Sequence, residues 1–231
     1  MKQIVKSITL AGLLGFSSYS AQAALVTFDQ GFPEQTAATI NFGDFSVSAG
    51  YSGSFNLAPT VTQSFSRAII NSASVILDAN PADGGLGVIS NIPNSSDNFE
   101  GSLGNVNNDE ILFFDFSTYV TIEQILLNAG VGSGHQDLFP SSASDVFGVF
   151  TSLDGINYSS ITAGNIGITA GEILDITATG AQYLAVAHVG PTSSVGGYIE
   201  SIEYSEVPVP ATLALFGIGL LGLGHFSRKQ Q

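Results

Sequence analysis

Three observations predict an all-β fold, an antiparallel β-sandwich of the jelly-roll type. Apolar residues recur at every second position in DEILFFDFS (109–117), VFGVFTS (146–152) and YLAVAHV (183–189), which is the period of a strand. Glycine turns such as Asp154-Gly155 follow such runs and tolerate positive φ. Between the two ends of the chain, no stretch of ten or more residues shows a capped helical stripe. Many short strands joined by glycine turns are typical of two stacked antiparallel sheets.

The N-terminal segment, residues 1–23, has the order of a secretory signal peptide. Lys2 and Lys6 precede an apolar stretch over 8–16, and small residues end the segment at Ala21-Gln22-Ala23. This order predicts a signal-peptide helix that the export machinery recognises and that signal peptidase removes after Ala23. The chain has no cysteine, so disulfides cannot stabilise the exported protein.

Residues 24–206 form the predicted β-sandwich ectodomain, a length sufficient for one core. In the strand 109–117, alternation places one set of apolar residues on one face and a second set, with Asp115, on the other. Between Ile122 and Ile125 the period slips, and either a bulge or one helical turn would explain it. The predicted core residues are Leu112, Phe114, Phe116, Phe147, Val149 and Val186.

The charge of this segment excludes several classes of partner. All nineteen acids of the chain fall within 24–206, where Arg67 is the single Lys or Arg, so its formal charge is −18. Nucleic acid and anionic lipid surfaces need clusters of Lys and Arg, and we exclude nucleic acid. Divalent cations and neutral or basic polymers remain compatible, and solubility alone would also explain the acidity.

The sequence offers no recognisable catalytic site, and we predict no catalytic residue and no enzyme. There is no G-x-S-x-G, no H-E-x-x-H and no cysteine nucleophile. His135 stands beside Asp137 in a predicted loop without a nucleophile nearby, and His188 stands on a predicted strand. Glycoside hydrolysis needs only two carboxylates, but the adjacent Asp109 and Glu110 would point to opposite faces of a strand.

Glu200 is the one candidate metal ligand that the pattern isolates. On a regular strand it shares a face with Tyr198 and Ile202, so a carboxylate would lie on the core side and need a partner. Calcium accepts carboxylates, and Asp29 becomes a second ligand if the first and last strands are neighbours. Two alternatives remain open: Glu200 at a wet sheet rim, or Glu200 paired with Arg67.

The C-terminal segment, residues 207–231, has three parts. Pro208-Val209-Pro210 precedes an uncharged run over 211–226, and Arg228-Lys229 follows. The segment resembles the PEP-CTERM sorting signal, with Val209 in place of the glutamate that gives the motif its name. The resemblance implies a hydrophobic sorting or transmembrane helix that inserts transiently into the inner membrane. It also implies cleavage by an exosortase-like membrane protease and delivery to the cell surface or extracellular space. An uncleaved anchor is the alternative.

The segment from Leu86 to Tyr204 loosely resembles the jelly-roll ectodomains found ahead of this signal, and more distantly the galactose-binding-like modules. The resemblance is carried by NDEIL (108–112), SLDG (152–155) and YIESI (198–202). It implies a fold and no binding residue. Our functional hypothesis is a non-enzymatic surface or matrix protein, a weak carbohydrate-binding module in an exopolysaccharide layer or biofilm, on which Tyr51, Tyr158 and Tyr198 could stack against a sugar ring. The alternative is a small secreted glycoside or polysaccharide hydrolase that uses two carboxylates.

Overall fold

The predicted all-β class is confirmed. The computed structural model describes residues 22–28, 30–52, 63–79, 84–90, 109–128, 146–161, 166–167, 173–188 and 198–207. Within these ranges every regular element is a β-strand apart from one turn of 3-10 helix, Arg67–Ile69. The strands are β1 (Ala23–Thr27), β2 (Gln35–Ala37), β3 (Thr39–Asn41), β4 (Phe45–Tyr51), β5 (Ser64–Ser66), β6 (Asn71–Asp78), β7 (Gly85–Ile89), β8 (Glu110–Asn128), β9 (Val146–Ser152), β10 (Asn157–Ser160), β11 (Ile166–Gly167), β12 (Ile173–His188) and β13 (Tyr198–Glu206).

The two predicted terminal helices are not covered by this description, because residues 1–21 and 208–231 lie outside the described ranges. In the part of the chain that is described, no helix has the length and apolar character needed to span a bilayer. All thirteen described strands belong to one compact unit, Gln22–Val207.

Five strands close into a barrel in the order β13, β7, β6, β4 and β8. The first part of β8 pairs with β4, from Phe116 opposite Phe45, and the second part pairs with β13. The ring closes where Ile199 of β13 lies opposite Leu86 of β7. All of these pairings are antiparallel, as predicted, but the sequence predicted two stacked sheets. The described strands form one hydrogen-bonded sheet instead, because β8 is nineteen residues long and serves both halves.

The main core lies on the inner face of this sheet. Leu112, Phe114 and Phe116 of β8 alternate into it, and Val149 of β9 and Val186 of β12 pack against the same cluster. These five predicted core residues are confirmed, each at most 3% exposed. The sixth, Phe147, lies on β9, but its side chain is outside the described part of the structure.

The slip of period in β8 is a bulge. Gln124 lies opposite Glu203 and Ile122 lies opposite Tyr204, which leaves Glu123 as an extra residue on β8. The extra residue lets Ile122 and Ile125 both reach the main core. Of the two explanations that the sequence left open, the bulge is confirmed.

A second apolar cluster covers the opposite face of the first part of β8. Ile111 and Phe113 pack there with residues of β9 and β12, under Phe65 of β5 and Tyr158 of β10. The rings of Phe65 and Tyr158 are stacked, with centroids 5.3 Å apart. Because layers lie on both faces, the start of β8 is apolar on both sides, as is usual for a strand without a wet face.

Candidate functional site

Of the predicted processing sites, the structure describes only Ala23. Ala23 lies opposite Ser205 in the β1–β13 ladder, and β13 ends one residue later at Glu206. The next residue, Val207, is still hydrogen-bonded to β8, because its N–H donates to the carbonyl oxygen of Tyr119 at 2.9 Å. The other predicted processing residues lie outside the described ranges: Ala21, Pro208, Val209, Pro210, Arg228 and Lys229.

The predicted calcium pair is described only in part. β1 and β13 are neighbours, and the Phe28 N–H donates to the Glu200 carbonyl oxygen at 2.7 Å. Asp29, the next residue after Phe28, lies outside the described ranges. Among the residues that are described, no group of three or more acidic, histidine or cysteine side chains could hold a metal ion.

Glu200 does not lie on a regular strand as the prediction assumed. Ile199 faces Leu127 and Ser201 faces Leu126, so Glu200 is the extra residue of a β-bulge. Alternation fails across the bulge, because the adjacent residues Tyr198 and Ile199 are both fully buried, whereas Glu200 is only half-buried. The ion pair that the structure gives Arg67 is with Asp115.

Arg67 is held at three points on the outer face of the sheet. Its Nη1 donates to both carboxylate oxygens of Asp115, at 3.1 and 3.2 Å, and its Nη2 donates to Ser48 Oγ at 2.6 Å. The guanidinium carbon lies 4.4 Å from the centroid of the Phe113 ring, a cation–π contact. The side chains of Arg67 and Asp115 remain 30% and 33% exposed, so the ion pair is fixed but open to solvent.

Strand register extends this ion pair into a row of side chains. Asp115 lies opposite Ser46 of β4 on one side and opposite Tyr183 of β12 on the other. Both neighbours are half-buried. We call Arg67, Asp115, Ser46, Ser48 and Tyr183 the Arg67 patch. With strands about 4.8 Å apart, the row across β4, β8 and β12 is about 10 Å long.

A buried hydroxyl lies beneath the patch. Tyr158 is fully buried, and its hydroxyl has no hydrogen-bond partner in the described part of the chain. Burial raises the pKa of this phenol well above its usual value, and the nearby positive charge of Arg67 opposes that rise. The hydroxyl is therefore neutral and close to Arg67, but it lacks a hydrogen bond of ordinary geometry.

The β9–β10 hairpin supports the patch from one side. The Asp154 carboxylate accepts hydrogen bonds from the backbone N–H groups of Asn157 and Ile156, both at 2.8 Å. These bonds hold the pKa of Asp154 well below its usual value. Gly155, at φ 69°, follows in the turn, and a Cβ there would lie 3.0 Å from the Tyr183 ring. The tight turn and the missing side chain thus let the hairpin backbone pack against the Tyr183 ring, which stays half-buried.

The adjacent acids at the start of β8 are both buried. Glu110 Oε1 accepts a hydrogen bond from Ser90 Oγ at 2.7 Å, and the Asp109 N–H donates to Ser52 Oγ at 3.0 Å. Asp109 and Glu110 are 0% and 1% exposed. They do not form an open pair of facing carboxylates of the kind that hydrolysis of a sugar polymer requires.

Two of the three tyrosines that the sequence suggested for stacking on a sugar are not exposed. Tyr158 and Tyr198 are fully buried, and Tyr51 is half-buried, whereas Tyr183 lies beside the ion pair. A signal for the patch was present in the sequence. Asp115 follows Ile111 and Phe113 on one face of a largely apolar strand, and Arg67 is the single Lys or Arg between residues 24 and 206.

The comparisons with known proteins concern the C-terminal end. Residues 206–229 match the family model of the PEP-CTERM protein-sorting motif. No curated protein and no solved structure matches the chain significantly. The match begins at Glu206, the last residue of β13, and it confirms the resemblance based on Pro208, Pro210 and the terminal basic pair. The chain therefore carries a PEP-CTERM protein-sorting motif, the signal of exported proteins that exosortase sorts to the cell surface.

Proposed function

We propose that residues 24–206 are the cargo of this signal, a non-enzymatic protein of the cell surface or extracellular matrix that binds polysaccharide weakly. The observation that carries the proposal is the position of the sorting motif, which starts on the last residue of the last barrel strand. Cleavage beyond Pro208 would therefore leave every described strand intact. The high acidity favours a neutral polymer over nucleic acid or anionic lipid as the partner.

We expect the mature protein to lack the residues beyond about Pro210. Intact-mass measurement of protein recovered from the cell surface tests this, with a Pro208→Ala, Pro210→Ala double variant as the control for recognition of the motif. The parent should lose the mass of residues 211–231, and the double variant should retain it. If the parent mass still includes residues 211–231, the tail is not cleaved and serves as an anchor.

Calcium at Glu200 and Asp29 is the second part of the proposal. It is supported by the β1–β13 pairing, which brings the chain at Phe28 to the Glu200 backbone. Carboxylates and backbone carbonyls are ligands that calcium accepts.

We expect calcium well above its Kd to raise the Tm by about 5 °C or more relative to chelator. The rise should disappear in Glu200→Gln and persist in Glu203→Gln, a matched change on the same strand. Melting curves that coincide in calcium and in chelator would exclude the site.

A further inference from the structure

We propose that the Arg67 patch is the polysaccharide-binding site and that it takes a neutral saccharide. This inference rests on the proposed function, since it assigns a place and a ligand chemistry to the weak polysaccharide binding. It depends on the geometry of the ion pair, on its exposure and on the row of side chains around it.

The ion pair presents donors and acceptors side by side. Arg67 has more N–H groups than its three side-chain hydrogen bonds use, and the Asp115 carboxylate can accept more than the two bonds it receives from Arg67. Ser46 adds a hydroxyl on the other side of Asp115. Neighbouring hydroxyls of a sugar ring both donate and accept, so they match such a surface. Because Arg67 is fixed at three points, little side-chain entropy would be lost on binding.

Tyr183 supplies the apolar part of the site. It lies directly opposite Asp115, and the hairpin backbone at Gly155 holds its ring. An aromatic ring beside fixed polar groups suits the C–H face of a sugar. The hydroxyl of Tyr158 beneath the patch is fully buried, so it is not part of the contact surface.

The charge of the patch selects a neutral saccharide over an acidic one. The Asp115 carboxylate compensates the Arg67 charge within the ion pair. The chain as a whole carries a formal charge of −14, which repels polyanions at low ionic strength. An acidic polysaccharide would therefore meet a repulsive field and no free cation at this site.

The test measures binding of the full-length protein, purified in mild detergent, to soluble neutral glucan, galactan and mannan and to polygalacturonate. We expect at least one neutral polymer to bind and polygalacturonate not to bind. Asp115→Asn and Arg67→Gln should each lower the affinity for the neutral polymer about tenfold or more. Glu34→Gln, which changes an exposed acid in the loop just before β2, should leave the affinity unchanged. A melting curve for each variant confirms that it is folded.

The outcomes separate the site from the function. If Asp115→Asn and Arg67→Gln are folded and bind like the parent, the site lies elsewhere and polysaccharide binding survives. If Arg67→Gln does not fold, Ser46→Asn tests the site instead. Its larger side chain should block the row, so the folded variant should bind the neutral polymer more weakly than the parent. If the parent binds no neutral polymer, polysaccharide binding itself fails, and this assignment fails with it. Preferential binding of polygalacturonate would overturn the neutral class.

Discussion

Replacing Phe114 by alanine is expected to lower the free energy of unfolding by about 3–5 kcal/mol. Phe114 is fully buried in the main core, where its ring centroid lies 6.0 Å from that of Phe45 and 6.5 Å from that of Phe28. It stands on β8 between Val47 of β4 and Leu184 of β12. The lost ring therefore leaves a cavity that three strands would have to collapse to fill.

Urea denaturation of the exported protein measures this loss, and Leu153→Ala is the control. Leu153 is 75% exposed in the β9–β10 hairpin, so its truncation should change stability by less than about 0.5 kcal/mol. For a domain of ordinary stability, about 5–15 kcal/mol, the core variant loses a large share of the total. Equal denaturation midpoints for the two variants would contradict the placement of Phe114 in the core.

Replacing Gly85 by alanine is expected to cost on the order of 3 kcal/mol, because two separate penalties fall on one residue. Gly85 has φ 149°, which side chains rarely adopt, and a Cβ there would lie 2.6 Å from the Ile199 carbonyl oxygen and 2.8 Å from Tyr198 Cβ. This is the place where β7 meets β13 and the barrel closes. The substitution therefore adds about 1–3 kcal/mol of backbone strain and about 1–3 kcal/mol of overpacking at the β7–β13 contact.

Two other glycines separate these penalties. Gly43 has φ 93° with nothing within 4 Å of an added Cβ, so Gly43→Ala reports conformational strain alone. Gly50 lacks a positive φ, but an added Cβ would overlap Ile70 Cγ2 and lie 2.8 Å from the Asn71 carbonyl oxygen, so Gly50→Ala reports overlap. We expect Gly85→Ala to melt below Gly43→Ala. The opposite order would mean that the β7–β13 contact can open at little cost.

The sequence predicted the strands well because their information is local. Alternation in 109–117 placed Leu112, Phe114 and Phe116 in the core without any knowledge of their partners. Barrel closure was not predictable in the same way. It depends on β8 pairing with both β4 and β13, and no local pattern in a strand specifies which distant strands will flank it.

The candidate site was missed for a related reason. Period-two reasoning placed Glu200 on the core face, but a bulge at that residue changes the alternation, and bulges leave a weak trace in a single sequence. Tyr183 and Asp115 became neighbours only through the register of β12 on β8. The sequence could have suggested that Arg67 pairs with a carboxylate, because it is the single Lys or Arg among nineteen acids in residues 24–206. It could not have shown that the partner is Asp115.

The place of β13 as the last described strand determines when the barrel can form. The ring closes where Ile199 of β13 lies opposite Leu86 of β7, a contact of high sequence separation that forms slowly. A chain made from its N-terminus cannot close the barrel before residue 206 is available, and the sorting motif begins at that same residue. The last strand of the barrel and the start of the sorting motif therefore become available together. Until then, β1 lacks its partner strand β13.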